Sequence, residues 1–136
     1  MNRHLLRKAA LDILYQSDLL GMMIEDVMIK ETAYRRELID DYVKRLLLGI
    51  SSNKEYIDKE IEKYSKNWAL DRMSMIDRNI LRIAIFEIKF LNDIPYRVSI
   101  DEAIELAKNY SSEDAGRFVN GILANYAENQ HEGDIE

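Results

Sequence analysis

No cysteine occurs among the 136 residues, which removes disulfide frameworks, thiolate nucleophiles, zinc knuckles and iron–sulfur clusters together. Proline occurs once and glycine five times. That is too few turn-formers for a β-sandwich or a doubly wound sheet, so long helices are expected. No uncharged apolar run approaches the ~20 residues needed to span a bilayer, and Asp12 interrupts what would be the apolar region of a signal peptide. The expectation is a cytoplasmic protein with no membrane segment. The two histidines, His4 and His131, stand near opposite ends without a second ligand at metal spacing, so no metal is expected. The glycines form no GxGxxG or Walker pattern, and no G-x-S-x-G elbow is present. The sequence therefore supplies neither a cofactor site nor a catalytic constellation, and a non-enzymatic binding role is expected.

What is present suits a folded helical domain. Hydrophobic residues make up 47% and charged residues 32% of the chain, enough apolar material for a core. The net charge of -6 argues against non-specific nucleic-acid binding, yet recognition uses a local patch rather than the average field. Residues 101–136 carry two basic against nine acidic groups, whereas residues 1–20 carry three basic against two acidic. The acidity is thus concentrated in the last quarter, whose final residues, 129–136, read as a disordered acidic tail.

Apolar periodicity and capping signals predict six or seven helices. The first spans 3–20, with Asn2 as N-cap and Gly21 as stop. A short one follows at 24–34, and another runs from Glu37 to Leu48, ended near Gly49. Ser52 to Glu55 reads as a capping box opening a helix to Tyr64. The run from Met73 to Leu91 is apolar on nearly every side, as a central helix should be. At 100° per residue Asp71, Arg78, Arg82 and Lys89 share one face and should lie outward, while Glu87 points the other way and should be buried. A second capping box, Ser99 to Glu102, predicts a helix to Asn109, and Ser111 or Ser112 caps the last, over 113–128. Such amphipathic helices cover one another in packed bundles.

Two places carry the residue types of nucleic-acid binding. Arg3, His4 and Arg7 share one side of the first helix, followed by Lys8, in a spacing that suits phosphates and equally suits a solvated helix end. Arg117 beside Phe118 is a basic and aromatic pair of the kind that holds single-stranded RNA, although Phe118 taken alone reads as core. Tyr15 fits either a stacking role or an interface.

Four segments together resemble the NusB family of bacterial transcription antitermination factors: Arg7-Lys-Ala-Ala-Leu-Asp-Ile-Leu-Tyr15, Asp77-Arg-Asn-Ile-Leu-Arg-Ile-Ala-Ile-Phe-Glu87, Ile94-Pro-Tyr-Arg-Val-Ser-Ile-Asp-Glu-Ala-Ile-Glu-Leu-Ala-Lys108 and Phe118-Val-Asn-Gly-Ile-Leu123. The resemblance implies an all-α domain over 1–128, in two helical subdomains of about 1–66 and 67–128. It also implies a non-catalytic role. Proteins of this family pair with the small-subunit ribosomal protein NusE and bind boxA RNA. The complex acts on RNA polymerase so that ribosomal RNA operons are read through. Carried over by position, the RNA surface falls on Arg3, His4, Arg7, Asp12, Asp114, Arg117 and Phe118, and the ribosomal-protein contacts on Tyr15, Asp77 and Arg78. Glu87, Asn120 and Gly121 also match family signatures, with structural work expected of them, Gly121 permitting close helix packing.

In place of a dense arginine cluster the first helix reads Arg3-His-Leu-Leu-Arg7. RNA binding by the free protein is therefore expected to be weak and salt-dependent, with the ribosomal protein supplying most of the stabilisation. Charge reversal at Arg7 and Arg117 is expected to weaken RNA binding alone. The competing reading is a self-associating helical module, a homodimer burying Leu5, Leu6 and Phe118, that no longer binds RNA. A third reading, the RNA-binding domain of an RNA cytosine methyltransferase, needs a Rossmann domain and a catalytic cysteine that these residues lack.

Overall fold

The computed structural model describes residues 2–34, 40–66 and 68–135, with side chains described as far as 130. Its elements are α1 (Arg3–Leu20), α2 (Ile24–Tyr34), α3 (Asp41–Ser52), α4 (Lys54–Tyr64), a 3-10 turn at Leu70–Arg72, α5 (Met75–Phe90), α6 (Tyr96–Tyr110) and α7 (Glu113–Ile135). The fold is all-α, as expected, and no helix among the described residues is long and apolar enough to cross a membrane.

Local chemistry sets several of the ends, at Asn2, Gly21 and Ser112 where the sequence places them and at Ser74 where it gives no cap. Asn2 accepts a hydrogen bond from the Leu5 amide, and Gly21 closes α1 in the left-handed region at φ +66°, a conformation that glycine adopts without a Cβ penalty. Ser74 caps α5 by accepting from the Asp77 amide, and Ser112 caps α7 by accepting from the Ala115 amide at 3.0 Å.

Elsewhere tertiary packing overrides the local signal. Gly49 does not end α3: a Cβ built there would lie 2.2 Å from the Phe86 ring, so the glycine lets α3 press against α5 and the helix continues to Ser52. The Ser52–Glu55 capping box consequently does not form, and Asn53 opens α4 without a side-chain cap. The start of the helix predicted from Glu37 lies outside the described residues, and Asp40 caps α3 by accepting from the Tyr42 amide. The second predicted box also fails. α6 begins three residues earlier, directly after Pro95, whose fixed φ suits a helix entry, and Ser99 becomes a buried interior residue. α7 has helical backbone beyond the predicted end at 128, through Ile135. The expected disordered tail at 129–136 falls mostly on residues whose side chains lie outside those described.

α5 is the central element, packing against α1, α3, α4, α6 and α7. Ile80, Leu81, Ile83, Ala84, Ile85 and Phe86 are all buried, which accounts for its nearly uniform apolar sequence. α6 and α7 pack on each other and on α5, while α2 and α3 cover α1. The buried side chains form one continuous core.

Candidate functional site

Glu87 is 1% exposed, as the sequence predicts, and its carboxylate joins four helices. Arg7 of α1 donates to it twice, Nε to Oε2 at 2.7 Å and Nη2 to Oε1 at 3.0 Å. Tyr42 of α3 donates its hydroxyl to Oε2 at 2.6 Å, and Ser99 of α6 donates to Oε1 at 2.7 Å. Burial works against the Arg7 charge, but the hydrogen bond and charge of Glu87 outweigh it and hold the guanidinium more firmly protonated than usual. Burial and the bond to Glu87 push the Tyr42 phenol well above its ordinary value. Arg7, expected on the RNA surface, is thus 3% exposed and belongs to the core. Its fork matches the carboxylate, and a charge buried with a two-point partner stays inside.

A second polar network corrects the expected outward stripe on α5. Asp18 of α1 accepts at Oδ2 from Arg78 Nε at 2.9 Å, Asn79 Nδ2 at 2.8 Å and Arg82 Nη1 at 2.9 Å. Arg82, itself 4% exposed, also forks onto Asp58 of α4 at 2.8 and 3.1 Å. Arg78 and Arg82 therefore face neighbouring helices, whereas Lys89 is exposed as expected and Asp71, also exposed, lies in the 3-10 turn outside α5. Burial tends to raise the Asp18 carboxyl, but the Arg82 charge and the bonds from Arg78 and Asn79 outweigh it and hold it below its ordinary value. Of the expected partner-binding residues, Arg78 belongs to this network, and Tyr15 and Asp77 stand on the two helices that it joins. Tyr15, 36% exposed, lies one turn before Asp18, and Asp77 precedes Arg78 on the abutting helix. Asp77 Oδ1 is enclosed and meets no hydrogen-bond donor among the described residues.

The remaining RNA candidates lie on α1 and α7, and with Lys8 and with Tyr110 of α6 they make a partly exposed arc. Arg3 sits over the Tyr42 ring at 4.7 Å and 3.9 Å from Asp93. His4 Nδ1 lies 2.7 Å from Glu102 Oε2 on α6. Asp12 pairs with Lys8, whose ammonium stands 4.6 Å over the Tyr110 ring at the end of α6. Beyond Tyr110, Asp114 pairs with Arg117 at the start of α7, both widely exposed. Phe118 is half-buried and meets Trp68 edge to face, with ring centroids 6.4 Å apart. Every cation of the arc shares its charge with a nearby carboxylate or ring, and such exposed pairs are weak enough to exchange partners.

Sequence reasoning left Lys8, Trp68 and Tyr110 outside the site. Trp68 is 53% exposed and Tyr110 42%, and nothing in helical periodicity separates an exposed aromatic from a core one. Asn120 and Gly121 are exposed rather than packed, and a Cβ at Gly121 meets nothing within 4 Å, so close helix packing is not its role. Leu6 is 4% exposed within the core and Leu5 is 53% exposed, which removes Leu6 from any self-associating face. Among the described residues no cluster of metal-ligating side chains occurs.

Comparison with known proteins gives a consistent result. The pattern of the NusB family matches residues 4–128. The transcription antitermination protein NusB of Bacillus thuringiensis is 40% identical over 125 residues, covering 92% of this chain and 96% of the relative. Among solved structures, T. maritima NusB superposes with a TM-score of 0.81 at 36% identity, covering 94% of this chain and 92% of that one. A structure of the antitermination factors NusB and NusE in complex with dsRNA matches with a TM-score of 0.81 at 29% identity, over 93% of this chain and 96% of that one.

Proposed function

We propose, for a chain that belongs to the NusB family of non-catalytic transcription antitermination proteins, that it binds boxA RNA jointly with the ribosomal protein NusE. In this reading the pair joins the RNA polymerase antitermination complex in the cytoplasm and promotes read-through of ribosomal RNA operons. The observation that carries it is the partly exposed arc of Arg3, His4, Lys8, Tyr110, Arg117 and Phe118, which sets basic side chains beside aromatic ones across three helices. Cations track phosphates and aromatic faces stack bases, the combination that single-stranded RNA requires.

Tyr15 and Asp77, at the α1–α5 contact, are the residues proposed to meet NusE. Arg78 is committed to Asp18 and serves by fixing α5 against α1. With Arg7 withdrawn into the core, few free cations remain, so the isolated protein binds RNA weakly and NusE extends the charged track.

The test is a pull-down with purified NusE, with and without boxA RNA, alongside RNA titrations of each protein alone. The expected result is a binary protein complex that binds RNA more tightly than either component. Tight RNA binding by the isolated chain at physiological salt, or no complex with NusE, would overturn the reading.

A further inference from the structure

Gly121 occupies the interior of α7, where glycine is among the least favourable residues for a helix. Packing does not call for it, since a Cβ at this position meets nothing within 4 Å. What the missing side chain leaves open is the floor of a cavity of about 300 Å³ between α7 and the loop after α4. This is the lower end of the ~300–1,000 Å³ typical of small-ligand sites. Trp68 and Phe118 line it, with their ring planes at 73°. Lys66 and Arg117 stand beside them, and Asn125 lies one helical turn beyond Gly121.

The backbone at Trp68 is tied to the end of α4. The buried Ser65 donates its hydroxyl to the Trp68 carbonyl at 2.7 Å. Lys66 takes φ +50°, the one left-handed non-glycine residue among those described, and a conformation that L-residues adopt only when their surroundings impose it. A half-exposed indole beside two cations is an unusual surface to leave in water, because exposed tryptophan forgoes a large burial gain.

We propose that this cavity receives one unstacked nucleobase of single-stranded RNA, laid on the Trp68 indole over Gly121, with its phosphates beside Lys66 and Arg117 and its edge toward Asn125. A flat aromatic face accepts any base, the flanking cations select a polyanion, and a side chain at residue 121 would occupy the space the base needs. The inference rests on the RNA-binding reading above and extends the arc past Phe118.

Trp68 is the only tryptophan of the chain, so its emission reports on the cavity directly. The complex with NusE is titrated with boxA RNA while RNA binding is followed by the anisotropy of an end-labelled strand, and the Trp68→Leu complex supplies the partner's own emission for subtraction. The expected result is quenching of Trp68 in step with RNA binding. Gly121→Leu and Trp68→Leu are each expected to weaken RNA by about tenfold or more while NusE is bound as before. RNA binding with unchanged Trp68 emission and undiminished affinity in both variants overturns the pocket and leaves the RNA reading standing. Absence of RNA binding in the parent complex overturns both. Quenching by NusE without RNA assigns the cavity to a protein segment and also overturns the proposal. Should Gly121→Leu fail to fold, Trp68→Leu and the emission titration still decide it.

Discussion

Arg7 and Glu87, 80 residues apart in the chain, form a two-point ion pair in the interior, at 2.7 and 3.0 Å, with side chains 4% and 1% exposed. The pair fixes the first turns of α1 against the last turn of α5. Tyr42 and Ser99 complete the acceptor shell of the carboxylate, so α3 and α6 are tied to the same point. The arc is built on this anchor, because Arg3, His4 and Lys8 project from the turns that Arg7 holds down.

Charge reversal at Arg7 is therefore a stability experiment and not an RNA experiment. Arg7→Ala leaves Glu87 buried and unpaired, an event that typically loses about 3–5 kcal/mol, and Arg7→Glu adds a second carboxylate beside it. Urea denaturation is expected to show a large fall in the midpoint for both. A midpoint within error of the parent would show that Arg7 is free at the surface.

Gly49 and Gly121, both inside helices, should respond in opposite ways to alanine. Gly49→Ala drives a methyl group into the Phe86 ring and is expected to destabilise by about 1–3 kcal/mol, the usual range for overpacking. Gly121→Ala meets open space and is expected to be neutral or to stabilise by up to about 1 kcal/mol through helix propensity. Thermal melts of the two variants check the contrast, and equal shifts would contradict it.

Acid should loosen the α1–α5 contact through Asp18. Its folded pKa lies below the ordinary 3.8, so its contribution to stability is fully present above that value. The contribution is lost as pH falls from about there through the lower folded value. Asp18→Asn should accordingly be less stable than the parent at pH 7, and the difference should shrink as pH drops below 3.8. Urea midpoints collected between pH 7 and pH ~3 test this, and a gap that stays constant or widens in acid would rule out the linkage.

RNA affinity should depend on few ionic contacts. Arg117 is 73% exposed and, among the described residues, paired only with the still more open Asp114, so Arg117→Glu should lower RNA affinity without changing stability or NusE binding. If about three phosphates are neutralised, the logarithmic salt slope should be roughly -2. Anisotropy titrations at several salt concentrations read both quantities. Unchanged affinity in Arg117→Glu would remove the start of α7 from the interface.

Helix identity was legible in the residues themselves. Asn2, Gly21 and Ser112 act within one turn of their own position, and the run from Ile80 to Phe86, apolar except for Arg82, declares a central helix because little of its surface is left for water. Glu87 could be placed inside from its angle alone. The resemblance of Phe118-Val-Asn-Gly-Ile-Leu123 and its companion segments to the NusB family was equally a property of the sequence.

What only the tertiary structure decided is which charges stay wet and which glycines are confined. Arg7 and Arg82 lie inside because Glu87, Asp18 and Asp58 wait for them on other helices, and the enthalpy of those bonds does not exist until the helices meet. Ser99, read as a cap, faces Glu87 for the same reason, and Gly49 and Gly121 differ only in what stands opposite them. Trp68 is silent in a helical pattern because its setting is a loop docked beside a helix remote in the sequence. Local propensity acts over a few residues, whereas burial, ion pairing and cavity shape are set by neighbours far along the chain.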